Sequence, residues 1–140
     1  KVGRRWVKFG TKKWKKLYGE RIDAMLQALS GPKKERAVIW MGPIAFKGKR
    51  SEKRGPVVNA LMRQRVKAFG GPVFFVDGYK KTLTNKGRPI RTFKHPKSKK
   101  SIPARSKDNI HLSTQAVHWL VANPILDILD RCFPPKTPKS

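Results

Sequence analysis

Acidic residues are scarce in this chain: only 8 of its 140 residues are Asp or Glu, whereas 34 are Lys or Arg. The formal net charge at pH 7 is therefore +26. A surface that is charged only for solubility stays much nearer neutrality. The excess of cations predicts an anionic partner, which is an acidic polysaccharide, a nucleic acid or a lipid head-group surface.

Cysteine and long apolar runs are scarce as well. The single cysteine, Cys132, excludes an internal disulfide and a Cys-rich zinc site, and its neighbours Leu129 and Phe133 predict a buried thiol. The three His have no Cys or carboxylate at metal-ligand spacing, so we predict neither a metal site nor a cofactor. No apolar run reaches the roughly 18 residues of a transmembrane helix.

The apolar residues that are present predict an α/β fold. Spacings of three and four predict a helix over residues 12–30, capped by Thr11, and a second helix over residues 56–69. Unbroken apolar runs at 37–41 and 73–76 predict buried parallel strands, so the order is strand, helix, strand. The residues predicted to face the core are Trp14, Leu17, Tyr18, Ile22, Met25, Leu26 and Leu29 in the first helix and Val57, Leu61, Met62, Val66 and Phe69 in the second.

The remaining stretches are basic loops and a final helix. Residues 48–55 and 79–107 are predicted to be loops, the second with a tight turn at residues 85–87. A last helix is predicted over residues 113–132, with a break near Asn123 because Pro124 follows. Its inward residues are predicted to be Val117, Leu120, Val121, Ile125, Ile128 and Leu129.

An Asp three residues before a His precedes this last helix. In a turn, that spacing lets the Asp108 carboxylate reach the His111 imidazole, fix its tautomer and stabilise its protonated form. Those are the requirements of a general base that activates a serine. An exposed Asp at a helix start with a nearby surface His is the competing interpretation of the same spacing.

The block from Asp108 to Ser113 resembles the last block of SGNH (GDSL-type) hydrolases, which in many bacterial members reads Asp-Gly-(Ile/Val)-His-(Phe/Leu)-Thr. Asn109 stands where Gly is usual, and Asn also tolerates a positive φ. The resemblance, to a bacterial and usually periplasmic branch, covers about residues 6–130. It is also carried by Phe9-Gly10-Thr11, Trp14, Tyr18 and Arg21-Ile22-Asp23, by Val38-Ile39-Trp40-Met41-Gly42-Pro43, by Asn59 and by Phe75-Val76-Asp77-Gly78.

The resemblance implies a part of a three-layer, flavodoxin-like SGNH fold. The family's nucleophile lies in a Gly-Asp-Ser block, and neither that block nor Gly-x-Asn-Asp occurs in this chain. We therefore expect a carboxyl-terminal half: a basic lead-in over residues 1–10, a half-domain over 11–132 and a tail over 133–140. The chain begins with Lys1, so we expect it to be processed or truncated. The open edge of the first strand is expected to be covered by a second chain or by the missing amino-terminal half.

Two functions follow. In the first, Asp108 and His111 serve as orienting carboxylate and general base of an SGNH-type serine esterase that acts on esters of an anionic polysaccharide, in the periplasm or outside the cell. In the second, the chain is a non-catalytic binding protein that contacts RNA or DNA phosphates, such as a subunit of a ribonucleoprotein assembly. The residues predicted to bind the anionic ligand are Lys47, Lys49, Arg50, Lys53, Arg54, Arg88, Arg91, Lys97, Lys99 and Lys100.

Overall fold

A computed structural model of the chain describes residues 6–133 and shows an α/β protein with a short parallel sheet flanked by helices. The chain divides into two compact units: unit 1 is Lys1–Pro43 with Lys53–Asp77, and unit 2 is Ile44–Glu52 with Gly78–Ser140. In chain order the elements are α1 (Lys12–Ser30), β1 (Val38–Met41), α2 (Lys49–Phe69), β2 (Val73–Val76), α3 (Gly78–Lys81), β3 (Thr92–Lys94), β4 (Ser101–Pro103), α4 (Thr114–Val117), a π-helix (His118–Ala122) and α5 (Asn123–Cys132).

Unit 1 contains the parallel pair β1–β2, in which Val38 pairs with Val73 and Met41 with Val76. The predicted helix over 12–30 is confirmed, and the Thr11 hydroxyl accepts a hydrogen bond from a backbone N–H in its first turn. Within the predicted stripe Met25 and Leu29 are 55% and 48% exposed, so the prediction is wrong for these two residues. The core of unit 1 is formed by Ile22, Leu26, Val38, Leu61 and Val66.

The predicted loop from Gly48 to Gly55 is wrong, because α2 begins at Lys49 and continues through Gly55 and Pro56. Glu52 stabilises this helix start: its Oε1 accepts from the Gly48 N–H at 3.2 Å, and its own N–H donates to the Gly48 carbonyl at 2.9 Å. A proline inside a helix removes one intrahelical hydrogen bond, and here the other bonds of the turn hold the helix together.

Gly42, which follows β1, is required because Asn59 of α2 packs directly against it. A Cβ at position 42 would collide with Asn59 Oδ1 and lie 2.9 Å from Phe75 Cζ. Asn59 is itself buried and donates to Asp77 Oδ1 at 3.0 Å, so it cannot move without losing that bond. The close approach of helix and strand at this point therefore depends on the missing side chain.

Replacing Gly42 by Ala is expected to destabilise the fold by about 2 kcal/mol, the usual cost of overpacking a filled site. Gly19→Ala is the matched control. Its Cβ would touch only the flexible Arg65 side chain, at 3.3 Å, and an Ala inside α1 favours the helix. Urea denaturation followed by circular dichroism should show midpoints that move in opposite directions. A Gly42→Ala midpoint equal to that of the unsubstituted chain would contradict the packing argument.

Unit 2 corrects the prediction of a long loop over residues 79–107. That stretch contains α3 and the antiparallel hairpin β3–β4, in which Phe93 pairs with Ile102. Two apolar residues of the stretch, Ile90 and Ala104, form a second core together with Ala116 of α4. The tight turn is confirmed: Gly87 has φ +71° and its N–H donates to the Thr84 carbonyl.

The predicted final helix is divided into α4, the π-helix and α5. The predicted kink or break near Asn123 is not a break, because the backbone stays helical there; only the helix type changes, from π to α, with Pro124 in the first turn of α5. The inward orientation of Val117 and Leu129 is wrong, since they are 43% and 38% exposed, and Cys132 is exposed rather than buried. A π-helical turn inserts an extra residue into the helical repeat, so the apolar face read from α-helical spacing does not continue across it.

Both outer edges of the β1–β2 sheet lack a further strand among residues 6–133. Cover of one edge by a second chain or by a missing half stays a prediction. The domain boundaries at residues 11 and 132 stay predictions as well. Residues 1–5 of the lead-in and 134–140 of the tail lie outside the described residues.

Candidate functional site

The Asp–His turn comprises residues 106–113 and joins β4 to α4. Asn109 adopts φ +58°, the left-handed conformation that Asn tolerates better than most residues. Backbone hydrogen bonds close the turn, from Asn109 N to Ser106 O at 3.0 Å and from Ser106 N to His111 O at 2.9 Å. Ser113 caps α4 through its Oγ, which accepts from Ala116 N at 3.2 Å.

Asp108 is held by both of its carboxylate oxygens. Oδ1 accepts hydrogen bonds from Ser106 Oγ at 2.7 Å, Ile110 N at 2.9 Å and His111 N at 3.0 Å. Oδ2 contacts His111 Nδ1. The His111 ring, then Ser106 and the two backbone N–H groups, hold the pKa of Asp108 well below its usual range. The carboxylate is therefore ionised at neutral pH and fixed in orientation.

The contact at Nδ1 decides which nitrogen of His111 is available for chemistry. Because the carboxylate accepts at Nδ1, that nitrogen carries the proton in the neutral ring, and Nε2 keeps its lone pair. The His111 side chain is 78% exposed, so a group from outside the turn can reach it. The arrangement matches the demands on a general base whose protonated form is stabilised by a carboxylate.

The two serines of the turn have other roles. Ser106 Oγ donates to Asp108 Oδ1, and Ser113 Oγ donates to the Pro103 carbonyl at 2.7 Å. Neither hydroxyl donates to His111 Nε2, the geometry that an activated serine nucleophile needs. The turn thus contains an imidazole in contact with a carboxylate, and the hydroxyls of Ser106 and Ser113 are bonded to other groups.

Arg105, which immediately precedes the turn, is the largest omission from the sequence prediction. It is only 8% exposed and takes part in no salt bridge among the described residues. Its Nε donates to the Ile90 carbonyl at 3.2 Å, its Nη1 to the Ile110 carbonyl at 3.0 Å and its Nη2 to the Ala45 carbonyl. Burial lowers the pKa of the Arg105 guanidinium. By binding Ile110, it fixes the backbone directly before His111.

Arg105→Met is expected to destabilise the chain by about 3 kcal/mol, because three carbonyls lose their donors and two of the lost hydrogen bonds are buried. Arg105→Lys should lower the free energy of unfolding by less, since the lysine ammonium can still donate to some of the three carbonyls. Arg88→Met, at an exposed arginine of the same unit, is the control and should change the free energy of unfolding by less than about 0.5 kcal/mol. Equal urea midpoints for the Met variants at positions 88 and 105 would show that the hydrogen bonds of Arg105 to the three carbonyls do not stabilise the fold.

The residues predicted to bind an anion are divided between the units. Lys53 and Arg54 belong to unit 1, where the Arg54 guanidinium lies 4.9 Å from the Phe9 ring centroid. The other eight predicted residues belong to unit 2, and all ten predicted residues are exposed. None of the ten forms a salt bridge within the described part of the chain. They are Lys47, Lys49, Arg50, Lys53, Arg54, Arg88, Arg91, Lys97, Lys99 and Lys100.

An aromatic group that the sequence prediction missed lies in unit 2. Trp119 of the π-helix has its ring centroid 5.1 Å from that of His95 and 4.9 Å from that of His118. His95 is half-buried. Among residues 6–133 no three His, Cys, Asp or Glu side chains are grouped closely enough to hold a metal ion. The described helices are also too short or too polar to span a membrane.

Comparison with known proteins identifies a family. No curated protein matches the chain. A family model described as a protein of unknown function, DUF459, matches residues 1–127 of the 140. This family is SGNH-hydrolase-like, which agrees with the resemblance carried by the block at Asp108 to Ser113. Because the match extends over nearly the whole sequence, the chain belongs to the DUF459 family.

Proposed function

We propose that the chain supplies the general base and its orienting carboxylate to an SGNH-type serine esterase. The supporting observation is the contact of Asp108 Oδ2 with His111 Nδ1, with Oδ1 held at the same time by two backbone N–H groups. The serine and the oxyanion-hole donors are supplied by a segment other than this chain.

The reaction would use His111 twice. Nε2 removes the proton of the serine hydroxyl as its oxygen attacks the ester carbonyl, and the Asp108 carboxylate stabilises the imidazolium that forms. The imidazolium then donates that proton to the departing alkoxide, leaving an acyl-serine. Water, deprotonated by Nε2 in the same way, attacks the acyl group and releases the carboxylic acid and the free serine.

Ester hydrolysis by the protein that contains the serine-bearing half tests this proposal. With p-nitrophenyl acetate as substrate, we expect turnover by the complete protein and only background release of nitrophenol from residues 1–140 alone. The reason is that the chain has no Gly-Asp-Ser block to provide the nucleophile. Turnover by either form that is unchanged in His111→Ala would overturn the assignment.

Binding of RNA or DNA without catalysis is the second candidate function. The observation that favours it is that ten exposed cations have no carboxylate partner among the described residues. Phosphate binding needs only such cations and no Asp–His pair. An inactive complete protein that binds nucleic acid tightly would favour this candidate over the esterase.

A further inference from the structure

The basic segment of unit 2 is not neutralised by its own sequence. From Gly78 to Lys107 there are 11 Lys or Arg and no Asp or Glu. Four of these cations, Lys94, Lys97, Lys99 and Lys100, lie at the tip of the β3–β4 hairpin, on exposed residues with no salt bridge in the described chain. Like charges this close repel one another, so an anion from outside is the natural counterpart.

The hairpin loop, residues 95–100, is held in one conformation by its own hydrogen bonds. His95 N donates to Lys100 O at 2.8 Å, and Lys99 N donates to His95 O at 2.9 Å. Ser98 N donates to His95 Nδ1 at 3.1 Å, and Lys99 adopts φ +57°. The backbone that carries the lysines is therefore ordered before any ligand arrives, which reduces the entropy cost of binding.

An aromatic surface adjoins this loop. His95, the first residue of the loop, packs edge-on against Trp119 at 5.1 Å, and His118 packs edge-on at 4.9 Å. Trp119 is half-buried, so part of the indole stays accessible. π-Helical turns such as the one that carries Trp119 are frequent at functional sites. Cations beside an accessible aromatic ring suit a ligand that has both flat apolar surface and negative charge.

The loop is also joined directly to the Asp–His turn. Strand β4, three residues long, leads from the loop to Ala104, whose carbonyl accepts from Ser113 N at 3.1 Å. At about 3.3 Å per residue, the steps from Lys100 at the end of the loop to Ser106 at the start of the turn span at most roughly 20 Å. An extended polymer that is bound at the loop therefore reaches His111 within the same unit.

From this placement we infer that the hairpin loop, with Lys94 and Trp119, binds an anionic polysaccharide and presents its ester groups to His111. This inference rests on the proposed esterase function. Serine esterases cleave carboxylic esters, and acylated polysaccharides carry such esters on their hydroxyls, whereas a nucleic-acid backbone is joined by phosphodiesters. The connection of the basic loop to the Asp–His turn therefore favours the polysaccharide.

A kinetic comparison on the complete protein tests the loop. Lys97→Ala, Lys99→Ala and Lys100→Ala are combined in one variant, and Lys12→Ala, Lys13→Ala and Lys16→Ala in a control that removes the same charge from α1 of unit 1. On O-acetylated polygalacturonate the loop variant should raise KM about tenfold with kcat unchanged. On p-nitrophenyl acetate, which has no charge, the α1 control should change neither KM nor kcat. Equal KM values for both variants on the polymer would overturn the loop assignment.

Direct binding separates this inference from the esterase proposal. The unsubstituted 140-residue chain is titrated calorimetrically with de-acetylated polygalacturonate and with single-stranded RNA. If the loop variant weakens polygalacturonate binding and the α1 control does not, the hairpin loop is the binding surface, even if no esterase activity is found. Binding of RNA alone overturns it. Trp119→Phe should retain binding and Trp119→Leu should weaken it about tenfold, because only the aromatic ring offers a stacking surface.

Discussion

Replacement of His111 by alanine in the complete protein should lower kcat for p-nitrophenyl acetate by about a millionfold. In serine hydrolases the members of the triad act as a unit, so loss of the base costs nearly as much as loss of the whole set. In the proposed reaction the base is His111 Nε2, because Asp108 contacts Nδ1. Initial rates measured with excess substrate give kcat, and KM should change little because the imidazole acts in the transition state.

Asp108→Asn tests the orienting carboxylate separately. The amide has nearly the same shape but favours the wrong tautomer of His111, so we expect a loss of about ten-thousandfold in kcat. His118→Ala is the matched control for removal of an imidazole, since that ring is exposed and packs on Trp119. A His118→Ala effect as large as that of His111→Ala would place the base elsewhere.

Salt should weaken polyanion binding by about a thousandfold or more between 50 and 200 mM, if six or more anionic groups are contacted. The reason is that the bound cations release counterions from the polymer, and exposed lysines without carboxylate partners are free to do so. Anisotropy of labelled polygalacturonate, single-stranded RNA and duplex DNA gives the three slopes.

Neutral dextran is the control for this measurement and should show no salt dependence. If the affinity for all three polyanions does not change with salt, the +26 charge does not serve to bind polyanions. The steepest slope on duplex DNA, with weak binding of polygalacturonate, would favour the nucleic-acid candidate. The order of the three affinities at fixed salt therefore discriminates between the two functions.

What the sequence predicted well was local. Thr11 caps α1 through a bond to a residue three positions on, and the Asp108–His111 contact has the same separation. The β1–β2 pair could also be predicted, because two unbroken apolar runs with a helix between them can be arranged in only a few topologies. For the cap and the Asp108–His111 contact, the pattern and the structure depend on the same few neighbouring residues.

What the sequence did not predict depends on distant residues. Arg105 is one cation among eleven in its segment, and only its contacts with Ile90 and Ala45 distinguish it. The one local signal was the apolar Ile102-Pro103-Ala104 directly before it. The start of α2 was not predicted because Gly55 and Pro56 weaken a helix locally, whereas in the structure the rest of α2 outweighs them.

The division of the chain into units has a consequence for synthesis on the ribosome. Unit 1 is completely synthesised once Asp77 has been added. In unit 2 the Ala45 carbonyl accepts a hydrogen bond from Arg105, which is synthesised 60 positions later. At about 5 to 20 residues per second, translation from Asp77 to Arg105 takes roughly 1 to 6 s. During that interval residues 44–52 have emerged without the guanidinium that binds the Ala45 carbonyl. We therefore expect unit 1 to fold first and the Asp–His turn to be among the last parts of the chain to become ordered.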